Sequence, residues 1–213
     1  MQRLPSMPRS IVLAAAVALG AAVGIAVAIA SSDGSKSAVI TRAPDAAWPA
    51  GRRPAPEFRL LDQAGTPVSI RTLRGKPVLV TFIDPVCRNL CPLEAAALGK
   101  VVRDLGSRAP AVVAVSVNPW ADTSANFKAD ASAWQLPSSW RWATGSRSGL
   151  ARVWRSYGVA VQVQTKRVAG VTVRNVIHTE GSYVIDARGF ERALFLYPFR
   201  AADVERELKA LGP

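Results

Sequence analysis

Two apolar runs rich in β-branched residues limit what this chain can fold into more than any other feature. They are Pro77-Val78-Leu79-Val80-Thr81-Phe82-Ile83 and Ala111-Val112-Val113-Ala114-Val115-Ser116-Val117. A strand with one wet face alternates polar and apolar residues, whereas a strand buried on both faces reads as a continuous apolar run. Between the two runs, Leu93, Ala97, Val101 and Leu105 recur at four-residue spacing, the stripe of a helix packed on a sheet. Pro92 falls in that helix's first turn, where its missing N–H costs nothing. Strand, helix and strand in this order predict parallel neighbouring strands joined by a right-handed crossover.

The remaining pattern extends this unit in both directions. Phe58-Arg59-Leu60-Leu61 and Val68-Ser69-Ile70 flank Asp62-Gln63-Ala64-Gly65, which predicts an N-terminal hairpin. Asp122-Thr123-Ser124 can cap a helix over about 124–133, and a second helical stretch covers about 148–157. Val159, Val161 and Val163, then Val171 and Val173, alternate with polar residues around Lys166, Arg167 and Gly170, which predicts an inserted β-hairpin. Ser182–Asp186 and Arg192–Leu196 flank Ala187-Arg188-Gly189 as another hairpin, and Ala201–Leu211 closes the chain as an amphipathic helix. This order is α/β and thioredoxin-like. The six tryptophans include Trp120, Trp134, Trp140, Trp142 and Trp154 in the middle third, read as core and loop packing.

Ile11–Ala30 is a twenty-residue run without a charge. As a helix it would reach about 30 Å, the thickness of a bilayer's hydrocarbon core. Arg3 and Arg9 precede it, which predicts residues 1–10 in the cytoplasm and the rest outside. A single transmembrane anchor at 11–30 is the expectation, on length. A cleaved signal peptide is the alternative, because Ala26-Val27-Ala28 and Ala28-Ile29-Ala30 resemble cleavage sites. Residues 31–56, with Pro44, Pro49, Pro54 and Pro56, read as a flexible linker, and 57–213 as the folded domain. The formal net charge is +12, but the cations are scattered. A solvated basic surface is expected, with no nucleic-acid partner.

The chain has two cysteines and one histidine. Cys87 and Cys91 stand four apart where the first apolar run turns into the helix. A helix N-terminus carries unpaired N–H groups and partial positive charge, which favour thiolate over thiol. The alternative is a structural disulfide, but so small a loop would constrain the unfolded chain little. Open α/β sheets also place ligands at this end of a strand. His178, just before the Tyr183 strand, is expected in the loop beside that helix. Two thiolates and an imidazole suit Cu(I), for which three such ligands suffice. Structural Zn(II) wants four protein ligands, and Asp84 is the carboxylate considered for the fourth. Cu(II) would need water or Asp84 to complete a more tetragonal shell.

These residues carry a family resemblance. Cys87-Arg88-Asn89-Leu90-Cys91-Pro92, then Ser116-Val117-Asn118-Pro119 with Asp122-Thr123, then His178-Thr179 followed by Tyr183-Val184-Ile185-Asp186 and Gly189, resemble the Sco/SenC (PrrC) proteins from about Phe58 to Leu211. That family comprises anchored, thioredoxin-like copper proteins that help assemble the binuclear copper centre of cytochrome c oxidase. The resemblance implies copper ligands at Cys87, Cys91 and His178. It implies as partners the oxidase subunit carrying that centre and an upstream copper donor. The chain departs from the family's pattern at Asp84-Pro85, where an aromatic-Thr pair is usual, at Arg88-Asn89 in place of Pro-Asp, and at Asn118 in place of Asp.

Three functions compete on this reading. The first is a copper chaperone or metallation factor that hands on one ion by ligand exchange, with no turnover of a small substrate. The second is an extracytoplasmic thiol-disulfide oxidoreductase in which Cys87 attacks and Cys91 resolves. The third is a binding domain with neither metal nor redox role.

Overall fold

The computed structural model describes residues 42–212. Along the chain come β1 (Ala46–Ala47), β2 (Leu60–Leu61), β3 (Pro67–Val68), β4 (Val78–Ile83), α1 (Leu90–Leu105), β5 (Ala111–Ser116) and α2 (Ser124–Ala133). They are followed by β6 (Trp140–Ala143), α3 (Arg147–Ser156), β7 (Val161–Val168), β8 (Val171–His178), β9 (Gly181–Ile185), β10 (Glu191–Leu196) and α4 (Ala201–Ala210). The main sheet has the order β1-β10-β9-β4-β5-β6. β4 and β5 run parallel from Val78↔Ala111 to Ile83↔Ser116, and β9 lies antiparallel on the other side of β4. The crossover expected from the two apolar runs is therefore present.

Every residue of β4 and β5 is buried, because both faces of the sheet are covered. Leu79 and Ile83 point into one layer with Leu98, Val101 and Leu105 of α1 and Val204 and Leu208 of α4. Val78, Val80 and Phe82 point into the other, with Leu150, Val153 and Tyr157 from the α3 region and with Phe58, Leu60 and Val68 from the N-terminal hairpin. Each fully buried Leu, Ile, Val or Phe contributes about 1.5–3 kcal/mol of apolar transfer free energy. The sheet is thus a rigid platform for whatever stands at the end of β4.

Three expectations need correction. The linker does not extend to residue 56. Asp45 and Trp48 donate their N–H groups to Leu194 and Arg192 of β10 at 2.8 and 2.9 Å, Ala55 N–H donates to Gly189, and Arg53 pairs with the buried Glu191. Pro44 and Pro49 rule out a long strand, but the two residues of β1 are enough to cover an edge that would otherwise stand open. Second, Trp140–Ala143 forms a strand the sequence pattern did not indicate, although its tryptophans pack in the core as expected. Trp140 and Trp142 are buried, and Trp142 stacks on Phe127 of α2 at 5.0 Å. Third, His178 is the last residue of β8, opposite Val161, and not a loop residue. The hairpin β7–β8 is the expected insertion and pairs only with itself. No helix among the described residues is long and apolar enough to cross a membrane, and the expected span at 11–30 lies outside them.

Candidate metal centre

β4 ends at Ile83, and the chain must turn before α1 can pack back on the sheet. Asp84 makes that turn. Its Oδ1 accepts from Val86 N–H and from Asn118 Nδ2, each at 3.0 Å. Asn89 then caps α1, its Oδ1 accepting from Leu90 N–H at 2.8 Å. Cys87 lies on the turn, half-buried, and Cys91 lies in the first helical turn, fully buried. Both cysteines are free thiols.

The two sulfurs are electrostatically unequal. As a thiol, Cys87 donates to Asn89 Oδ1 at 2.9 Å, while Cys91 N–H points at Cys87 Sγ from 3.4 Å. The hydrogen bond from the Cys91 side chain, seconded by the N–H groups of Asn89, Cys91 and Leu90, outweighs burial and pulls Cys87 down to about 6. The same hydrogen bond to Cys87 pushes Cys91 far up, and burial and the Cys87 charge add to it. Cys87 is therefore the more acidic thiol of the pair, and Cys91 the one that keeps its proton.

His178 arrives from β8. Its Nδ1 stands 3.0 Å from Thr179 O, a carbonyl that can only accept, so Nδ1 carries the proton. Burial lowers the His178 pKa and keeps the ring neutral, against the Thr179 hydrogen bond. Nε2 is left with its lone pair facing Cys91 Sγ at 3.7 Å. A backbone partner on one ring nitrogen and a free lone pair on the other is the arrangement a metal-binding imidazole requires. Of the three residues singled out from the sequence, Cys87 and Cys91 thus lie together and His178 reaches Cys91.

Two acids that the sequence reading passed over also belong here. Cys87, Cys91 and Glu180 offer ligand atoms that all lie within 4.8 Å of one another. Glu180 Oε1 is 3.9 Å from His178 Nε2, and Oε2 is buried without a hydrogen-bond partner. Burial, with Glu94 and Cys87 adding negative charge, raises Glu180 to about 7. Glu94, one helical turn beyond Cys91, is fully buried behind the thiols. Its Oε1 accepts from Thr81 and Ser182 hydroxyls, each at 2.8 Å, and burial raises it to about 7. Both acids could have been suspected, Glu94 from its i,i+3 spacing to Cys91 and Glu180 from its place two residues after His178.

Asp84, considered as a fourth ligand, is instead committed to the turn and to Asn118. The departures Asp84 and Asn118 are thus one paired feature, the Asn118 amide donating to the Asp84 carboxylate across two strand ends. Arg88 is also accounted for: its guanidinium reaches Asp130 of α2 at 3.2 Å, which draws its charge along the surface toward that helix.

A thioredoxin-like α/β domain with two unequal thiols and a neutral imidazole at the end of its central strand is a thiol-based metal-binding or redox domain. A family model described as SCO1/SenC matches residues 49–211. The chain belongs to the SCO1/SenC family. No curated protein matches the chain. Among solved structures, it is similar to copper-bound ScoI of Bradyrhizobium japonicum, with 25% identity, a TM-score of 0.64 and coverage of 74% of this chain and 98% of that one. It is similar to apo Sco1 of Thermus thermophilus at 27% identity, with a TM-score of 0.62 and coverage of 75% and 91%. BsSco, a member of the Sco family of cytochrome c oxidase assembly proteins with a disulfide switch, shares the fold at 21% identity, a TM-score of 0.61 and coverage of 80% and 98%.

Proposed function

We propose that this protein is a copper metallation factor that binds one copper ion through Cys87, Cys91 and His178 and passes it to a membrane oxidase during assembly of its copper centre. The observation that carries the reading is the His178 tautomer, with Nε2 unprotonated and aimed at Cys91 Sγ from 3.7 Å. Copper bound to a relative of 25% identity, and the family's association with cytochrome c oxidase assembly, support the cargo and the recipient. The thiol pair suits exchange. Cys87 is accessible and already ionised near neutral pH, so it can take up an incoming ion first. Cys91 and His178 then close on it, with the Cys91 proton released. Transfer reverses the order: a partner thiolate replaces Cys87, the more accessible member, before the buried ligands let go. A membrane anchor at 11–30 would hold the domain outside the cytoplasm, beside a membrane-bound recipient.

The test is an anaerobic Cu(I) titration of the reduced full chain in detergent against a competing chelator. One-to-one binding, abolished by Cys87→Ser or Cys91→Ser and weakened by His178→Ala, is the expected result. Unchanged stoichiometry in either cysteine variant would sink the proposal.

One observation favours a second reading. A low-pKa, half-buried thiol beside a fully buried protonated one is also the attack-and-resolve pattern of disulfide exchange. In that reading Cys87 opens a partner disulfide, Cys91 displaces the partner, and the domain leaves oxidised while the partner is reduced. The two readings separate on His178→Ala, which should weaken copper binding but leave disulfide exchange nearly intact.

A further inference from the structure

Three ligands hold copper in the reading above, yet Glu180 clusters with both sulfurs and also faces His178 Nε2. Two thiolates and an imidazole satisfy Cu(I), a soft ion content with three such donors. A carboxylate is a hard donor, and a divalent ion favours it. We propose that Glu180 is a fourth protein ligand that engages the ion only in its divalent state, so that this chain holds Cu(II) in a closed two-sulfur, one-nitrogen, one-oxygen shell. The inference rests on the copper reading above and deepens it.

Distances support a shared ion. Ligand atoms bound at about 2.0–2.3 Å in a tetragonal shell stand roughly 3 Å apart when adjacent and about 4.3 Å when opposite. Here His178 Nε2 is 3.7 Å from Cys91 Sγ and 3.9 Å from Glu180 Oε1. The Glu180 oxygen and both sulfurs lie within 4.8 Å of one another. His178 Nε2 stands outside that cluster of three, so a shared ion would draw the ring toward Cys87.

Glu180 also has no other task. Its Oε2 is buried with no hydrogen-bond partner, and its carboxylate makes no ion pair with Arg or Lys among the described residues. A buried carboxylate oxygen without a partner costs free energy, and an ion would remove that cost. Asp84 lies outside the cluster that Glu180 forms with the two sulfurs, and its Oδ1 is held by Val86 N–H and Asn118 Nδ2. Glu94 faces Thr81 and Ser182 on the sheet side. The backbone favours the role as well. Glu180 lies between the end of β8 and the start of β9, and its carbonyl accepts Tyr197 N–H at 3.0 Å, which fixes the segment on the main sheet. The consequence is selectivity by oxidation state: Glu180 binds with the divalent ion and stands free with the monovalent one, while the sulfurs and imidazole hold both.

The experiment uses the reduced full chain in detergent, with Cu(I) under a competing chelator and Cu(II) as a simple salt in separate titrations. Glu180→Gln and Glu180→Ala are compared with the parent, and circular dichroism identifies the folded variants. The expected result is a loss of at least tenfold in Cu(II) affinity and a changed Cu(II) electron paramagnetic resonance spectrum in a folded variant. Cu(I) affinity should stay within about threefold, since only three donors bind it. An unchanged Cu(II) spectrum and affinity would overturn the inference and leave a water in the fourth position. Equal losses for both ions would also overturn it, assigning Glu180 to the shape of the site. A parent chain that binds neither ion would overturn the copper reading itself.

Discussion

Cys87 should titrate near pH 6, and the consequence can be worked through to a rate. At pH 7 roughly nine-tenths of Cys87 is thiolate, against roughly 3% of an ordinary thiol near 8.5. That is about a thirtyfold gain in the reactive form. Intrinsic nucleophilicity falls with pKa, however, and at a Brønsted slope of about 0.4–0.5 the thiolate itself is about tenfold less reactive. The net advantage at pH 7 is therefore only about twofold to threefold. At pH 5 the thiolate ratio rises to roughly 300, and the net advantage becomes about twentyfold. The pH profile is thus the informative measurement, and a single rate at neutral pH is not. The assay is iodoacetamide alkylation of the reduced chain from pH 4.5 to 9.5, with mass spectrometry counting adducts. One adduct should form with an inflection near pH 6, because Cys91 is buried and protonated. Cys91→Ala removes the largest cause of the shift, so its inflection should move up by more than one pH unit. An inflection between 8 and 9 in the parent, or an unmoved one in Cys91→Ala, would refute the description of two unequal thiols.

Other outcomes follow from the same geometry. Glu94 sits at about 7 because it is buried, against 4.5 when exposed, so the folded state keeps a proton that the unfolded state releases between those values. Its contribution to stability is complete below about pH 4.5 and is lost as pH rises through 7, by roughly 3 kcal/mol at about 1.4 kcal/mol for each unit of pKa. Glu94→Gln should remove that part of the pH dependence, read as urea midpoints at pH 5 and 8. Gly181→Ala would set a Cβ 2.9 Å from the Phe195 carbonyl oxygen, forcing β9 and β10 apart at a cost of about 1–3 kcal/mol. An unchanged urea midpoint would count against so close an approach. Arg88→Ala should raise the Asp130 carboxyl above its present value of about 6, because burial would then act without the opposing cation, and carbon-detected NMR titration would register the change.

The order of elements could be read from periodicity because each signal is local. β4 and β5 announce themselves as uninterrupted apolar runs, and α1 by its four-residue stripe. Cys87 and Cys91 were also legible, since a pair at a strand-to-helix turn carries its chemistry in the spacing. His178 was legible as a residue and less so as a position, because whether a strand ends before or after it depends on pairing with Val161, seventeen residues earlier. β1 and β6 escaped for the same reason. Two or four residues have no period of their own, and they become strands only when β10 or β5 offers them an edge.

What the sequence by itself determined is therefore the α/β order, the two thiols at a helix start and the supply of a single imidazole. Tertiary structure alone decided how far the two thiols differ in acidity, which ring nitrogen faces Cys91 and which acid stands with the thiols. Those three outcomes depend on burial and on distances between segments some ninety residues apart, as with Cys91 and His178. Desolvation and through-space charge act only once those segments have been packed together. Asp84 and Glu180 illustrate the point: both are acids near ligands in sequence, but folding spends one on a turn and leaves the other facing the thiols.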